Sequence, residues 1–181
     1  MNQGLIPRRY AKALYQFASE NNDADRVYSL MKTLSEAFDS EPLLQSTLAN
    51  PFVAASDKMK LIATAAGTDS SDSVTGDFLK LLEKNKRLDM TRAIARAYLD
   101  LYRQENHIYV VKVTSASELS AEGEARLKKL VASHLDGGKM EYTSEVNPDL
   151  IGGFTVAVGN ERLDASISNE LKQLRLNLLS K

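Results

Sequence analysis

The sequence predicts a mainly α-helical protein with a smaller α+β part: an N-terminal six-helix bundle followed by a small C-terminal α/β domain. Over the first hundred residues, apolar side chains recur every three or four positions, which is the spacing of one helix face. Near His107 the apolar spacing changes to two, as in a β-strand. We therefore place the bundle at residues 1–105 and the α/β domain at residues 106–181.

Six segments of the bundle have helical spacing. The first carries Tyr10, Leu14 and Phe17 on one face, and Pro7 fits its first turn because a missing N–H is harmless there. Ser56 is expected to cap the fourth helix through its hydroxyl. The other five helices are defined by Val27, Leu30, Met31, Leu34 and Phe38; Leu43, Leu44 and Leu48; Met59, Ile62, Ala63 and Ala66; Val74, Phe78, Leu81 and Leu82; and Ile94, Ala97, Tyr98 and Leu101.

The C-terminal domain is expected to follow the order strand, helix, strand, hairpin, helix. Alternation of Tyr109, Val111 and Val113 marks the first strand, and Ser120 is placed to cap the next helix. Gly159-Asn160 is typical of a tight hairpin turn. The remaining elements are marked by Leu127, Leu130 and Val131; Met140, Tyr142 and Val146; Phe154, Val156 and Val158; Glu161 to Asp164; and Ile167, Leu171, Leu174 and Leu178.

Composition narrows the classes of function. The chain has 23 basic and 24 acidic residues and a net charge of -1, without the basic excess typical of nucleic-acid binding. It contains no cysteine, which excludes disulfides and thiolate chemistry. No apolar run approaches the roughly 20 residues that span a bilayer. We expect a soluble protein that reaches a membrane only through partners, with no direct insertion.

The residues with catalytic potential are few. His107 and His134 are the two histidines, and we expect each to have a packing or surface role. Gly152-Gly153 precedes a strand, whereas phosphate-binding glycine loops precede a helix, so a bulge or a close backbone approach is favoured. We predict no catalytic residue, cofactor or metal site. A small enzyme that uses carboxylates of the C-terminal domain is the rival hypothesis.

The first and fifth helices have wide apolar arcs for so small a bundle. Alanines flank the apolar positions of the first helix, and Phe78, Leu79, Leu81 and Leu82 crowd the fifth. One explanation is a groove that accepts another amphipathic helix. The other is that both helices are simply central. Spacing alone favours neither.

Three stretches carry a family resemblance. They are residues 8–18 (Arg-Arg-Tyr-Ala-Lys-Ala-Leu-Tyr-Gln-Phe-Ala), residues 81–88, and residues 147–160 followed by Leu163 to Ile167 and Leu171 to Leu174. The first resembles the opening helix of ATP synthase delta subunits and of the mitochondrial oligomycin-sensitivity-conferring protein. The second resembles the end of that family's helix five. The third, with Leu-Ile-Gly-Gly, a glycine turn and Asp-x-Ser, resembles its C-terminal signature.

The resemblance implies a non-catalytic stator subunit in the peripheral stalk of an F-type ATP synthase. Such a subunit supports ATP synthesis coupled to proton or sodium transport, at the cytoplasmic face of the inner membrane. The bundle would bind N-terminal segments of the alpha subunits. A groove between helices one and five would receive one of them, through Tyr10, Ala13, Leu14, Phe78, Leu81 and Leu82. The alternative is a helical adaptor that binds RNA or another protein.

The resemblance also implies that the C-terminal domain holds the C-terminal end of the peripheral-stalk b subunit. The residues that match its signature are Leu150, Ile151, Gly152, Gly153, Phe154, Asp164 and Ser166. We expect the first five to serve the fold more than direct contact. Ala165 stands where glycine is common in the family, and a left-handed backbone at that position would be strained.

Overall fold

A computed structural model describes residues 4–68, 73–135, 137–159 and 161–179. The chain divides into two compact units, Met1–Gln104 and Glu105–Lys181. Each unit has its own apolar core and is described by itself.

The N-terminal unit contains the six expected helices. A single 3-10 turn, Leu88–Met90, separates the last two. Pro42 opens the third helix, where proline has no hydrogen bond to lose. The helices are α1 (Leu5–Glu20), α2 (Ala24–Ser40), α3 (Pro42–Ala49), α4 (Ala55–Ala65), α5 (Ser73–Lys84) and α6 (Thr91–Glu105). The prediction of a helical bundle is confirmed.

The core of the bundle is built from one stripe of each helix. On α1 the buried stripe is Pro7, Ala11, Leu14 and Ala18, at steps of three and four. Fully burying a large apolar side chain stabilises a fold by about 1.5–3 kcal/mol. The side chains below 2% exposure that the other helices contribute to the bundle core include Val27, Leu34, Leu48, Ile62, Leu82, Ile94 and Tyr98.

Polar contacts join α6 to α2 beside this core. The Tyr102 hydroxyl donates a hydrogen bond to Asp25, and the Tyr102 ring stacks on Tyr28 with 4.2 Å between centroids. Arg103 Nε donates to the Tyr28 hydroxyl at 3.0 Å. The Tyr98 hydroxyl donates to a backbone carbonyl at the start of α2. These three tyrosines of the bundle thus keep hydrogen-bond partners for their hydroxyl groups.

The C-terminal unit is a four-stranded sheet with two helices. Its strands are β1 (Ile108–Ser115), β2 (Lys139–Val146), β3 (Gly153–Val158) and β4 (Glu161–Ser166), and its helices are α7 (Ala121–His134) and α8 (Ile167–Leu179). The sheet order is β2-β1-β3-β4. Strands β1 and β2 are parallel, and the other pairs are antiparallel. The expected order of elements is confirmed.

Helix α7 covers one face of this sheet. Alternation along β1 turns Val111 and Val113 toward α7, and Val156 joins them from β3. The helix contributes Leu127, Val131 and Leu135 to the same cluster. The Ser120 hydroxyl accepts the Gly123 N–H at 3.2 Å, so its predicted cap is confirmed.

Some expectations differ from the structure or lie outside it. Helix α4 begins at Ala55 after Ala54, with no side-chain cap, so the cap predicted at Ser56 is wrong. Asn160 of the predicted hairpin turn lies outside the described residues, as do the side chains of Leu174 and Leu178.

Candidate partner-binding groove

A groove runs between α1 and α5 in the N-terminal unit. The two helices are in contact, and the buried stripe of α1 fixes how that helix is rotated. Residues three and four positions apart share one face of a helix, so the residues that directly precede Leu14 and Ala18 lie along one edge of the buried stripe. Ala13 and Phe17 occupy that edge on α1. Phe78 and Leu81 face them from α5.

The groove has an apolar floor and apolar walls. Leu14 and Phe78 form the floor, with 2% and 6% exposure. Phe17 and Leu81 form the walls, and each is 42% exposed. Ala13 is small and exposed, which keeps the groove open. Its volume is about 370 Å³.

A single acidic side chain lies at the rim of the groove. Asp77 is on α5, one turn before Leu81. Its carboxylate lies 2.9 Å from Lys80 Nζ, and both side chains are well exposed. Such surface pairs contribute about 0–1 kcal/mol and break readily. The groove can therefore bind an apolar helix face, and Asp77 can meet a cation beside that face.

The structure brings four of the six predicted groove residues together. Ala13, Leu14, Phe78 and Leu81 line the groove. Tyr10 lies one turn earlier on α1, is partly buried, and is not in the lining.

Leu82 has a different place. It is 0% exposed and belongs to the bundle core, so its side chain offers no surface to a partner. The sequence did not distinguish it from Leu81 because both fall within one apolar arc. The physical difference is about 100° of rotation along the helix, which points Leu82 inward.

Two groove residues were missed. Phe17 was placed on the same face as Leu14, whereas it lies at the exposed edge of that face. A stripe drawn through the small residues Ala11 and Ala18 would have left Phe17 outside the core. No sequence signal pointed to Asp77, since its carboxylate resembles that of any solvent-facing position.

The signature glycines of the C-terminal unit allow close contacts. A Cβ on Gly152 would lie 2.5 Å from Cδ1 of Ile167. Gly153 has φ +82°, and a Cβ there would lie 2.3 Å from the Ala165 carbonyl oxygen. Phe154 packs against the sheet core, while Ile151 is 75% exposed.

The other two signature residues organise the start of α8. The Ser166 hydroxyl, at a residue with 3% exposure, accepts the Asn169 N–H at 3.3 Å. Oδ1 of Asp164 accepts the Ser166 N–H at 3.0 Å. The hydroxyl and N–H of Ser166 hold the pKa of the Asp164 carboxyl below its usual range. Ala165 has no positive φ, so no strain arises there.

The described part of the chain contains no cluster of histidine and acidic side chains that could hold a metal ion. His107 and His134 are both exposed. Within residues 4–68, 73–135, 137–159 and 161–179, no three acidic or histidine side chains are placed to hold a metal ion. No described helix is both long enough and apolar enough to cross a membrane.

A helical bundle, a small sheet domain and an exposed apolar groove are typical of a subunit or adaptor that binds other chains. Residues 6–178 match the family model described as ATP synthase delta (OSCP) subunit. A relative from Bacteroides thetaiotaomicron, "ATP synthase subunit delta", is 37% identical over 100% of this chain and 97% of its own. Relatives of the same name from Parabacteroides distasonis and from Prochlorococcus marinus strain MIT 9301 are 35% and 32% identical, over at least 93% of each chain.

A solved structure has the same fold. It is a chain of the mitochondrial ATP synthase hexamer of Toxoplasma gondii, with a TM-score of 0.73 and 22% identity, and the match covers 96% of this chain and 97% of that one. The chain belongs to the ATP synthase delta (OSCP) subunit family. It is therefore a structural, non-catalytic subunit of the peripheral stalk of an F-type ATP synthase, a membrane-associated complex.

Proposed function

We propose that residues 1–105 bind the catalytic head, and that the groove between α1 and α5 receives an N-terminal helix of an alpha subunit. The observation that carries this proposal is the apolar lining of the groove, with Phe17 and Leu81 left 42% exposed at its walls. An amphipathic helix that lays its apolar face into a groove is a recurrent mode of peptide recognition.

Burying the two wall residues, Phe17 and Leu81, does not supply enough free energy for tight binding of the alpha subunit. Fully burying a leucine or phenylalanine is worth about 1.5–3 kcal/mol, so covering the exposed parts of Phe17 and Leu81 supplies only about 2 kcal/mol. A dissociation constant near 1 nM corresponds to about 12 kcal/mol. Apolar anchors of the incoming helix must supply most of the difference, as do the few dominant residues of other interfaces.

We further propose that residues 106–181 hold the C-terminal end of the b subunit. A second apolar groove, of about 460 Å³, lies between α7 and strands β3 and β4. Leu130 and Leu163 stand at its walls with 54% and 59% exposure, and Val131 and Val156 line its buried side. Among the surfaces of this unit that the structure describes, we assign the stalk helix to this groove.

Two anchor points on one chain suit a stator. Rotation of the central shaft exerts torque on the catalytic head, and a link held at two places resists it without bond chemistry. In this proposal the chain acts at the cytoplasmic face of the inner membrane and supports synthesis driven by protons or sodium ions.

A substitution in the first groove tests the proposal. Ala13→Asp puts a carboxylate where the partner helix would exclude water, and an unpaired buried charge is costly. We expect the dissociation constant for an alpha N-terminal peptide to rise at least 100-fold, or about 2.7 kcal/mol. Gln16→Asp is the control, because Gln16 is exposed on the same helix outside the groove lining.

Calorimetric titration of the full-length chain measures both variants, and circular dichroism checks that the bundle remains folded. Equal affinity of Ala13→Asp and Gln16→Asp for the peptide would remove the groove from the proposal.

A further inference from the structure

We propose that a second groove of the N-terminal unit, between α1 and α6, docks an acidic amphipathic helix of a partner protein. This groove, the α1/α6 groove, lies on the other side of the buried α1 stripe from the groove beside α5. Its volume is about 580 Å³. This docking site is separate from the groove beside α5 that is proposed to bind the alpha subunit.

Small apolar side chains form the base of the α1/α6 groove. Pro7 is buried, and Ala97 and Leu101 are partly buried. Ala93 is exposed one turn before Ala97. Because two of these four residues are alanines, the backbone of an incoming helix can approach α6 closely. The base therefore suits the apolar face of a helix.

The rim of the groove is cationic. Arg8 and Lys12 project from α1, and Arg96 from α6, against the single carboxylate of Asp100. The lining thus carries three positive charges and one negative charge, although the whole chain has a net charge of -1. A local cation excess on an anionic chain favours an acidic partner.

Two of the cations are available. Within the residues that the structure describes, Arg8 and Lys12 form no ion pair and are exposed. Arg96 lies 2.8 Å from Asp39, which is also 2.8 Å from Arg92. One carboxylate shared by two guanidinium groups leaves that cluster with a positive charge.

The combination selects an acidic helix over other anions. A nucleic-acid backbone would use the cations and leave the apolar base without a partner, since phosphate contacts are purely polar. A helix with a leucine face flanked by glutamates uses both. Charge at such a rim sets the association rate and the choice of partner more than the final affinity.

The probe is a blocked synthetic peptide of about 16 residues, above the length at which isolated helices are marginal in water, with leucines on one helical face and glutamates on both sides of it. Matched peptides carry glutamine or lysine in place of glutamate. Fluorescence anisotropy with the full-length chain, at low and physiological salt, measures the binding. We expect the glutamate peptide to bind at least 10-fold more tightly than the glutamine peptide, and added salt to weaken it.

Variants of the chain locate the site. Arg8→Glu with Lys12→Glu should weaken binding of the glutamate peptide at least 10-fold, whereas Lys60→Glu, at an exposed lysine of α4, should change it less than about 2-fold. Ala93→Leu fills the groove without altering charge and should also weaken binding. Circular dichroism of each variant establishes that the helices persist.

Three outcomes would overturn the inference. The first is equal binding of the glutamate and glutamine peptides. The second is a loss of affinity in Lys60→Glu as large as that in the double variant at Arg8 and Lys12. The third is tighter binding of a single-stranded oligonucleotide than of the peptide, which would assign the cations to nucleic acid.

Discussion

A Cβ atom on Gly153 would lie 2.3 Å from the carbonyl oxygen of Ala165 on the neighbouring strand. Real Cβ contacts do not come this close, and the obstacle is backbone, which cannot rotate away. Gly153 also has φ +82°, a conformation that costs other residues about 1–2 kcal/mol. Gly153 is thus explained by a steric requirement between β3 and β4, whereas Gly152 is explained by the Ile167 side chain of α8.

Gly153→Ala should destabilise the C-terminal unit by more than about 2 kcal/mol, because strain and overlap add. Gly137→Ala is the matched control: its φ is +83°, but a Cβ there meets nothing within 4 Å. It should cost only the strain, about 1–2 kcal/mol. Urea unfolding followed by tyrosine fluorescence measures both, and equal losses would contradict the overlap.

Adjacent leucines of α5 should separate stability from binding. Leu82→Ala removes a side chain with 0% exposure and should cost about 2–5 kcal/mol of unfolding free energy. Leu81→Ala removes one with 42% exposure and should cost less than about 1 kcal/mol of unfolding free energy. It should raise the dissociation constant for the alpha peptide about 10-fold. Thermal unfolding and peptide titration measure the two effects. Unchanged peptide affinity in Leu81→Ala would count against the groove.

The bundle should lose stability at alkaline pH. Burial, together with the hydrogen bond to Asp25, raises the pKa of Tyr102 to about 12, and burial raises the pKa of Tyr98. An unfolded tyrosine ionises near pH 10. Because the folded state favours the neutral phenol, the contribution of these hydroxyls to the free energy of unfolding is complete below about pH 10. It is lost as pH rises through about 12.

Tyr102→Phe removes one such phenol and its hydrogen bond to the Asp25 carboxylate, which is worth about 1.5–3 kcal/mol at neutral pH. Its stability should therefore fall less steeply than that of the parent between about pH 10 and 12. Denaturant midpoints across this range, with absorbance to follow tyrosinate, provide the measurement. Parallel alkaline profiles would contradict the assignment.

The cap of α8 should respond to acid. Ser166 lowers the pKa of Asp164, so the associated stability is present above the unfolded value near 3.9 and is lost as pH falls below it. Ser166→Ala should cost about 0.5–2 kcal/mol and reduce this acid dependence. Ser120→Ala removes the cap of α7 and should cost a similar amount without that change. Denaturation at pH 3 and pH 7 distinguishes the two.

Much of the fold could be predicted because the periodicity of apolar residues is a local property. The change of spacing near His107 marks the beginning of β1 at Ile108, and Ser120 caps α7 as its hydroxyl predicts. Ser56 failed as a cap because the chain before it already begins helix α4 at Ala55. A capping side chain shows that a helix can start nearby, but neighbouring residues decide the position.

The groove could be predicted only in part, because a wide apolar arc does not say which of its edges is covered. Phe78 and Leu81 line the groove, while Leu82 in the same arc is fully buried. The α1/α6 groove was not predicted, because its lining mixes small apolar and charged side chains, such as Lys12 and Arg96, and so gives no wide apolar arc on either helix. Such a surface arises from tertiary packing alone.

Helix α1 borders the core along one stripe and an open groove along each side of it, so only a narrow strip of its circumference lies outside both the core and the grooves. Gln16 belongs to that remaining strip. A cysteine introduced there would be the only thiol in a chain without cysteine, and a dye attached to it would obstruct neither groove. The fluorescence of a dye at this position can therefore report the occupancy of both grooves while the protein functions.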